Sequence, residues 1–272
     1  MKKLILIFIV GLIFLFAYTN FEDSEIKDYY DRSNGEEENI DIEKPNNDKK
    51  DSEARIAIII DDLGYNSHLN QKLLKIEEPL TVAILPFLEN TEKAVDNFMD
   101  ADNFELILHM PLEPVDDRHR EEDMIMTYHS REEIKRLFNR AVSEMRGRVV
   151  GVNNHKGSKF TSDRKKMREF LEAVKDNNMF FIDSVTIDSS VGFELAKKME
   201  IPATERDLFL DYVDEKPAIR KNLRKAEELA LKEGLAVVIG HHKENTLEVL
   251  QKELPGMQNR GVELVKVSEI IN

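Results

Sequence analysis

Five apolar residues, Ile56-Ala57-Ile58-Ile59-Ile60, run without a break into Asp61-Asp62-Leu63-Gly64. A stretch this short and β-branched, with no polar alternation, reads as a strand buried on both faces, as in a parallel sheet covered by helices. Such a strand delivers its final residues to the carboxyl edge of the sheet, where α/β proteins hold their chemistry. Two adjacent carboxylates there repel each other and are costly to desolvate, and a bound cation or a shared proton relieves that cost. The plain alternative is that one aspartate caps the next helix while the other faces water.

The pattern recurs along the chain. Further strands are expected at 80–85, 105–109, 149–152, 179–183, 201–204 and 235–240, with a last apolar run at 262–267. Amphipathic segments lie between them, at 67–75, 90–100, 130–146, 163–177, 188–199, 214–232 and 246–253. Ser130-x-x-Glu133 is a capping-box pattern, and Asp163 stands where an N-cap belongs. Strand–helix alternation implies a parallel sheet with crossover helices. Seven or eight units in so short a chain suit a closed or nearly closed (β/α) barrel of about seven parallel strands. Residues 111–127 form the one long loop without an evident element, and such loops are often functional.

This barrel occupies residues 54–272. Ahead of it, Met1-Lys2-Lys3 and the uncharged apolar run 4–17 match the basic and hydrophobic regions of a secretory signal, so residues 1–20 are expected to be a signal peptide or an uncleaved signal anchor. Residues 21–53 carry 13 acidic and five basic side chains and only isolated apolar ones. That composition cannot offset chain entropy by burial, and it predicts a disordered acidic linker. The expected location is extracytoplasmic, either secreted or held at the membrane by the N-terminal segment alone. A net charge of −14 argues against nucleic acid as a partner. The absence of cysteine removes disulfides, thiolate metal sites and a cysteine nucleophile.

Unusual polar residues fall at the ends of the expected strands. Asp61 and Asp62 end the first, His109 the third, Asn153-Asn154-His155 the fourth, Asp183 and Ser184 the fifth, and His241-His242 the seventh, while Arg206 and Asp207 follow the sixth. Each has an ordinary explanation: a structural histidine, a helix cap at Asp183, turn formers at Asn153 and Asn154, a surface ion pair at Arg206. A barrel would bring them to one rim. An aspartate with two histidines and open positions is a hydrolytic metal site, and nitrogen and oxygen ligands without thiolate suit zinc, as they do manganese, iron, cobalt or nickel. A second carboxylate beside the ligand can act as base, and a histidine opposite as acid.

These segments resemble the divergent polysaccharide deacetylases, relatives of the NodB-type carbohydrate esterases. The resemblance rests on Ile60-Asp61-Asp62-Leu63-Gly64, His109-Met110-Pro111-Leu112-Glu113-Pro114, Gly151-Val152-Asn153-Asn154-His155-Lys156-Gly157-Ser158, Phe180-Phe181-Ile182-Asp183-Ser184 and Gly240-His241. It implies Asp61 as base, Asp62 and His109 as metal ligands, and His241 as acid. The related enzymes carry a His-x3-His motif, and Glu113 stands here where the second histidine is expected. Either Glu113 completes the ligand set or His155 does, and His155 is preferred. The Arg-x-Pro-Tyr oxyanion motif is not visible, which leaves Asn153, Asn154 or backbone N–H groups for that work. Glu113, Asp183 and Arg206 are then expected to contact the substrate or to support the ligands.

The leading expectation is a metal-dependent hydrolase, with zinc as the first choice of cation, acting on acetyl groups of an envelope polysaccharide. The alternative is a non-catalytic envelope protein that keeps the deacetylase fold and binds glycan or a cell-wall partner. A magnesium-dependent phosphoester enzyme ranks last, because no glycine-rich phosphate loop is present.

Overall fold

The computed structural model describes residues 54–271. The expected N-terminal signal and acidic linker lie outside the described residues. Among the described residues no helix is long and apolar enough to cross a membrane.

Nine strands form one sheet: β1 (Ala54–Leu63), β2 (Leu80–Ile84), β3 (Phe104–Leu112), β4 (Gly151–Lys156), β5 (Phe180–Asp183), β6 (Ala203–Glu205), β7 (Leu208–Phe209), β8 (Leu235–His241) and β9 (Val262–Val265). Seven helices connect them: α1 (Asn70–Leu73), α2 (Thr91–Phe98), α3 (Arg131–Glu144), α4 (Arg164–Asp176), α5 (Gly192–Lys198), α6 (Lys216–Glu233) and α7 (Glu244–Glu253). The strand order is β6-β5-β4-β3-β2-β1-β8-β7, and every pairing is parallel. β8 runs along one edge of β1. The other edge is shared, with β9 beside Ala54–Ala57 and β2 beside residues 59–63.

The two ends of this order, β6 and β7, are consecutive in the chain. They are not paired, so the sheet curls into a barrel with one open seam. The chain crosses the seam at Arg206 and Asp207, whose backbone N–H groups donate to Asp183 on β5 and Val237 on β8. The expected (β/α) barrel is therefore present in this open form. β7 was not among the expected strands, because two residues show no period.

The apolar residues sort by strand parity. Ile56, Ile58 and Ile60 pack outward against the helices, in one cluster with Phe98, Phe138, Phe170 and Leu247. Ala57 and Ile59 face inward, with Ile107, Ile182, Val237 and Ile239. Because side chains alternate along a strand, the next inward position on β1 is Asp61, on β3 His109, on β5 Ser184 and on β8 His241. The inward apolar layer ends where these polar groups begin.

The helices form for local reasons. Ser130 Oγ accepts from the Glu133 N–H while Glu133 accepts from the Ser130 N–H, closing the expected capping box on α3. Asp163 accepts from the N–H groups of Lys165 and Lys166 at the start of α4. Each helix buries one stripe, Ile134, Leu137, Phe138 and Ala141 on α3, and Met167, Phe170, Leu171 and Val174 on α4. α6 stops at Gly234, whose φ of +89° is left-handed and suits glycine.

Candidate active site

Asp61 and Asp62 both reach the site although neighbours on a strand point to opposite faces. The register of β1 slips between Ile60 and Leu63, and Asp62 adopts a left-handed φ of +67°. A bulge of this kind re-aims a side chain at the end of a strand. Asp61 keeps the inward direction set by parity, and the bulge turns Asp62 toward the same space.

Three donor atoms then form a small triangle. His155 Nδ1 lies 3.1 Å from His109 Nε2 and 3.1 Å from Asp62 Oδ1, and His109 Nε2 lies 3.4 Å from Asp62 Oδ1. Three donors bound to one cation at about 2.1 Å stand about 3.4 Å apart in tetrahedral coordination and about 3.0 Å apart in octahedral coordination. The triangle has those edges. Asp62 Oδ1 is also buried with no hydrogen-bond partner, as a ligand atom awaiting a cation would be. The residues fit a divalent metal, and among the described residues these three are the group of carboxylate and imidazole donors that could hold one.

The supporting contacts fix which atoms face inward. Asn153, beside His109 in the register of β3 and β4, accepts from His109 Nδ1 at 2.7 Å, which leaves His109 Nε2 with its lone pair free. The same amide donates to Asp61 Oδ1 at 2.9 Å. One asparagine thus orients a ligand and the second carboxylate together. Asn154 donates to the Lys156 carbonyl and accepts from the Ser184 N–H. Both amides are engaged in the framework: Asn153 Nδ2 faces Asp61 and Ser184, and Asn154 Nδ2 spends one N–H on the Lys156 carbonyl.

The electrostatics separate the two aspartates. Burial pushes the Asp61 carboxyl above the usual range, more than the neighbouring His109 and His241 pull it down. Burial also pushes Asp62 up, but the imidazoles of His109 and His155 outweigh it and hold Asp62 well below the usual range. Burial lowers His155, while Asp62 and Glu121 raise it further, to about 9. Two adjacent carboxylates thereby gain opposite tendencies, one toward holding a proton and one toward staying ionised.

Across the β1–β8 pair, His241 sits at the register position of Asp61. Its Nδ1 lies 2.7 Å from Asp211 Oδ1, and Asp211 Oδ2 accepts from the His241 N–H and from Thr246 Oγ1. Burial lowers His241, and the ionised Asp211 more than restores it, so its affinity for a proton is raised. Phe209 stacks on the His241 ring at 5.7 Å, and Arg206 lies over the other partner of that stack, 3.9 Å from the Phe209 centroid.

Asp211, which holds His241, was not foreseen from the sequence. The short run Leu208-Phe209-Leu210 before it was the available signal.

The remaining expected residues fall elsewhere. Glu113 does not face the triangle: its carboxylate accepts from the Thr127 N–H and Oγ1, both at 2.6 Å, and pairs with Lys159 at 2.8 Å. The donor atom within reach of both His109 and Asp62 belongs to His155, which β4 carries two positions after Asn153, and not to Glu113. Asp183 points outward, where it accepts from Ser190 Oγ and from the Phe193 N–H at the start of α5. Arg206 donates to the carbonyls of Ser184 and Val185, which holds the loop after β5. A pocket of about 240 Å³ is walled by Tyr65, Leu85, Pro86, Phe87, Leu88 and Pro111, with Glu121, Glu122 and Asp123 on its acidic side.

The curled parallel sheet is a fold shared with carbohydrate esterase family 4. A Bacillus anthracis pseudoenzyme of that family, in a variant with restored enzymatic activity, superposes with a TM-score of 0.53 at 14% identity, covering 80% of this chain and 67% of that one. A protein of Agrobacterium tumefaciens C58 superposes with a TM-score of 0.75 at 20% identity, covering 82% of this chain and 91% of that one. In sequence, the chain is 30% identical over 219 residues to YibQ of Escherichia coli strain K12, spanning 80% of this chain and 68% of that protein. It belongs to the divergent polysaccharide deacetylase family, whose profile matches residues 58–271.

Proposed function

We propose that the protein is a metal-dependent hydrolase outside the cytoplasm that removes acetyl groups from a cell-envelope polysaccharide. One observation carries the reading: the Asp62, His109 and His155 donors stand at ligand spacing, with Asp61 and His241 flanking them on the same inward rim. Nitrogen and oxygen donors in this set suit zinc. The basic start and apolar run at residues 1–17 support the location.

A divalent cation bound by Asp62, His109 and His155 supplies a Lewis acid for the acyl carbonyl and lowers the pKa of water to about 7. Asp61 takes the proton from the attacking water. Its raised proton affinity suits a general base better than that of an ordinary exposed carboxylate, and Asn153 holds the carboxylate in place. His241 gives a proton to the departing sugar nitrogen or oxygen. Asp211 keeps its Nδ1 protonated and turns Nε2 toward the site. The buried surroundings strengthen each of these interactions.

The test is acetate release from N-acetylated and O-acetylated glycans by the purified full chain. Activity with zinc, loss with a chelator and recovery on adding zinc back are expected. A zinc-loaded protein that binds these glycans and releases no acetate contradicts the hydrolase and leaves a glycan-binding protein on the same fold.

A further inference from the structure

The loop between β3 and α3 is closed at its base. Glu113 N–H donates to the Ile125 carbonyl, the Ile125 N–H donates to the Pro111 carbonyl, and the Glu113 carboxylate takes both donors of Thr127. A loop so latched projects its middle, and there Glu121 returns to the site. Tyr65 Oη donates to Glu121 Oε1 at 2.8 Å, and Lys156 Nζ donates to the same oxygen at 2.5 Å. With Oε1 taken from two sides, Oε2 faces His155 Nε2 at 3.5 Å. That imidazole nitrogen is buried and has no hydrogen-bond partner, so the Glu121 carboxylate is its charged neighbour.

We infer that Glu121 is a positioning residue for the cation site: through Nε2 it fixes the ring of His155 so that Nδ1 presents its lone pair to the metal, and it thereby ties closure of the 113–127 loop to cation binding. This rests on the metal reading above. The chemistry is that of a carboxylate behind a ligating histidine, which sets the tautomer, aligns the ring and raises ligand basicity. Asn153 does the same for His109 from within the sheet. His155 has no such partner in the sheet, and the loop supplies one. The residue at the position of the missing second histidine, Glu113, is then the latch that brings in the carboxylate supporting its substitute.

Because the two sites share one carboxylate, the coupling is reciprocal: whatever orders the loop strengthens metal binding, and metal binding orders the loop. Glu121 also lines the pocket walled by Tyr65 and Phe87, so a ligand lodged there meets the same side chain.

The contact is expected to be dispensable for folding. Glu121 and Lys156 are both about one-third exposed, and such pairs contribute little stability. Glu121→Gln keeps the shape and removes the charge. Zinc affinity is measured by competition with a chromophoric chelator, together with amide hydrogen exchange over residues 114–124 with and without zinc. The wild-type protein is expected to bind one zinc and to slow exchange in the loop on binding. Glu121→Gln is expected to keep its melting temperature, to bind zinc about 10–100-fold more weakly, and to lose most of the zinc-dependent slowing. Glu121→Asp, which retains the charge, is expected to recover part of the affinity. Wild-type protein that binds zinc while Glu121→Gln binds it within twofold overturns this inference alone. Wild-type protein that binds no zinc overturns the metal reading and this inference with it.

Discussion

The two aspartates are adjacent in sequence and opposite in their hold on a proton. Asp62 is kept ionised by two imidazoles, whereas burial raises the proton affinity of Asp61. Removing them has separable results. Asp62→Ala is expected to abolish zinc binding and activity together. Asp61→Asn is expected to retain zinc and to lose activity on the order of 10²-fold or more, as a deleted general base does. Elemental analysis beside acetate release distinguishes the two, and loss of zinc in Asp61→Asn contradicts the division. Asp211→Asn tests the acid from behind: zinc binding stays, and turnover falls because His241 loses the charge that holds its proton. The Asp-Asp pair and the histidines at strand ends were legible in the sequence, because a strand places its final residues at a known edge. The left-handed turn at Asp62 was not, since nothing in Ile60-Asp61-Asp62-Leu63 distinguishes a bulge from a regular strand end.

Among the elements, the loop of residues 113–127 departs furthest from a periodic pattern. Its acidic and basic residues between Asp116 and Asp123 look like a solvated turn, and Glu121 differs from its neighbours through contacts with Tyr65 and with His155 and Lys156 on β4. Its length gave the one legible signal of function. Glu113 is buried and holds Thr127, so Glu113→Ala strands the Thr127 donors and frees the loop. A loss of about 1–3 kcal/mol in stability is expected from the unpaired buried groups, with faster proteolysis at Arg118 and Arg120. Unchanged stability and unchanged cleavage contradict the latch. The helices were legible to within a few residues where a cap was written in the sequence, as at Ser130 and Asp163. α5 begins later than its acidic signal at Asp188, because Asp183 at the end of β5 caps it instead.

At the scale of the molecule, parity and closure gather the site. Alternation along buried strands sends one set of side chains to the helices and the other into the barrel, and the inward set becomes polar at one level on β1, β3, β4, β5 and β8. The strands other than β7, and their polar ends, were readable in the sequence. The open seam between β6 and β7 was not, because it depends on pairings that two- and three-residue strands cannot announce. The same gathering of charge gives the whole protein a pH signature. In the metal-free protein His155 holds its proton up to about 9, so zinc uptake at neutral pH must release it. Zinc affinity is expected to rise with pH until about 9 and then level off. A calorimetric titration in buffers of different ionisation enthalpy checks the proton release, and affinity independent of pH between 6 and 9 contradicts it. On the acid side, burial pushes the Glu113 carboxyl up, but Lys159 and Thr127 outweigh it and hold it down to about 2. Its stabilisation is complete above its unfolded value near 4.5 and is lost as pH falls toward 2.

The most direct measurement is the zinc content and zinc X-ray absorption spectrum of the purified full chain beside its Asp62→Ala and His155→Ala variants. One zinc per chain is expected, with two imidazole ligands and one carboxylate oxygen at about 2.0–2.2 Å, and less than a tenth of that occupancy in either variant. Wild-type protein without zinc after incubation with it, or a His155→Ala variant with full occupancy and two imidazoles, contradicts the metal centre described above.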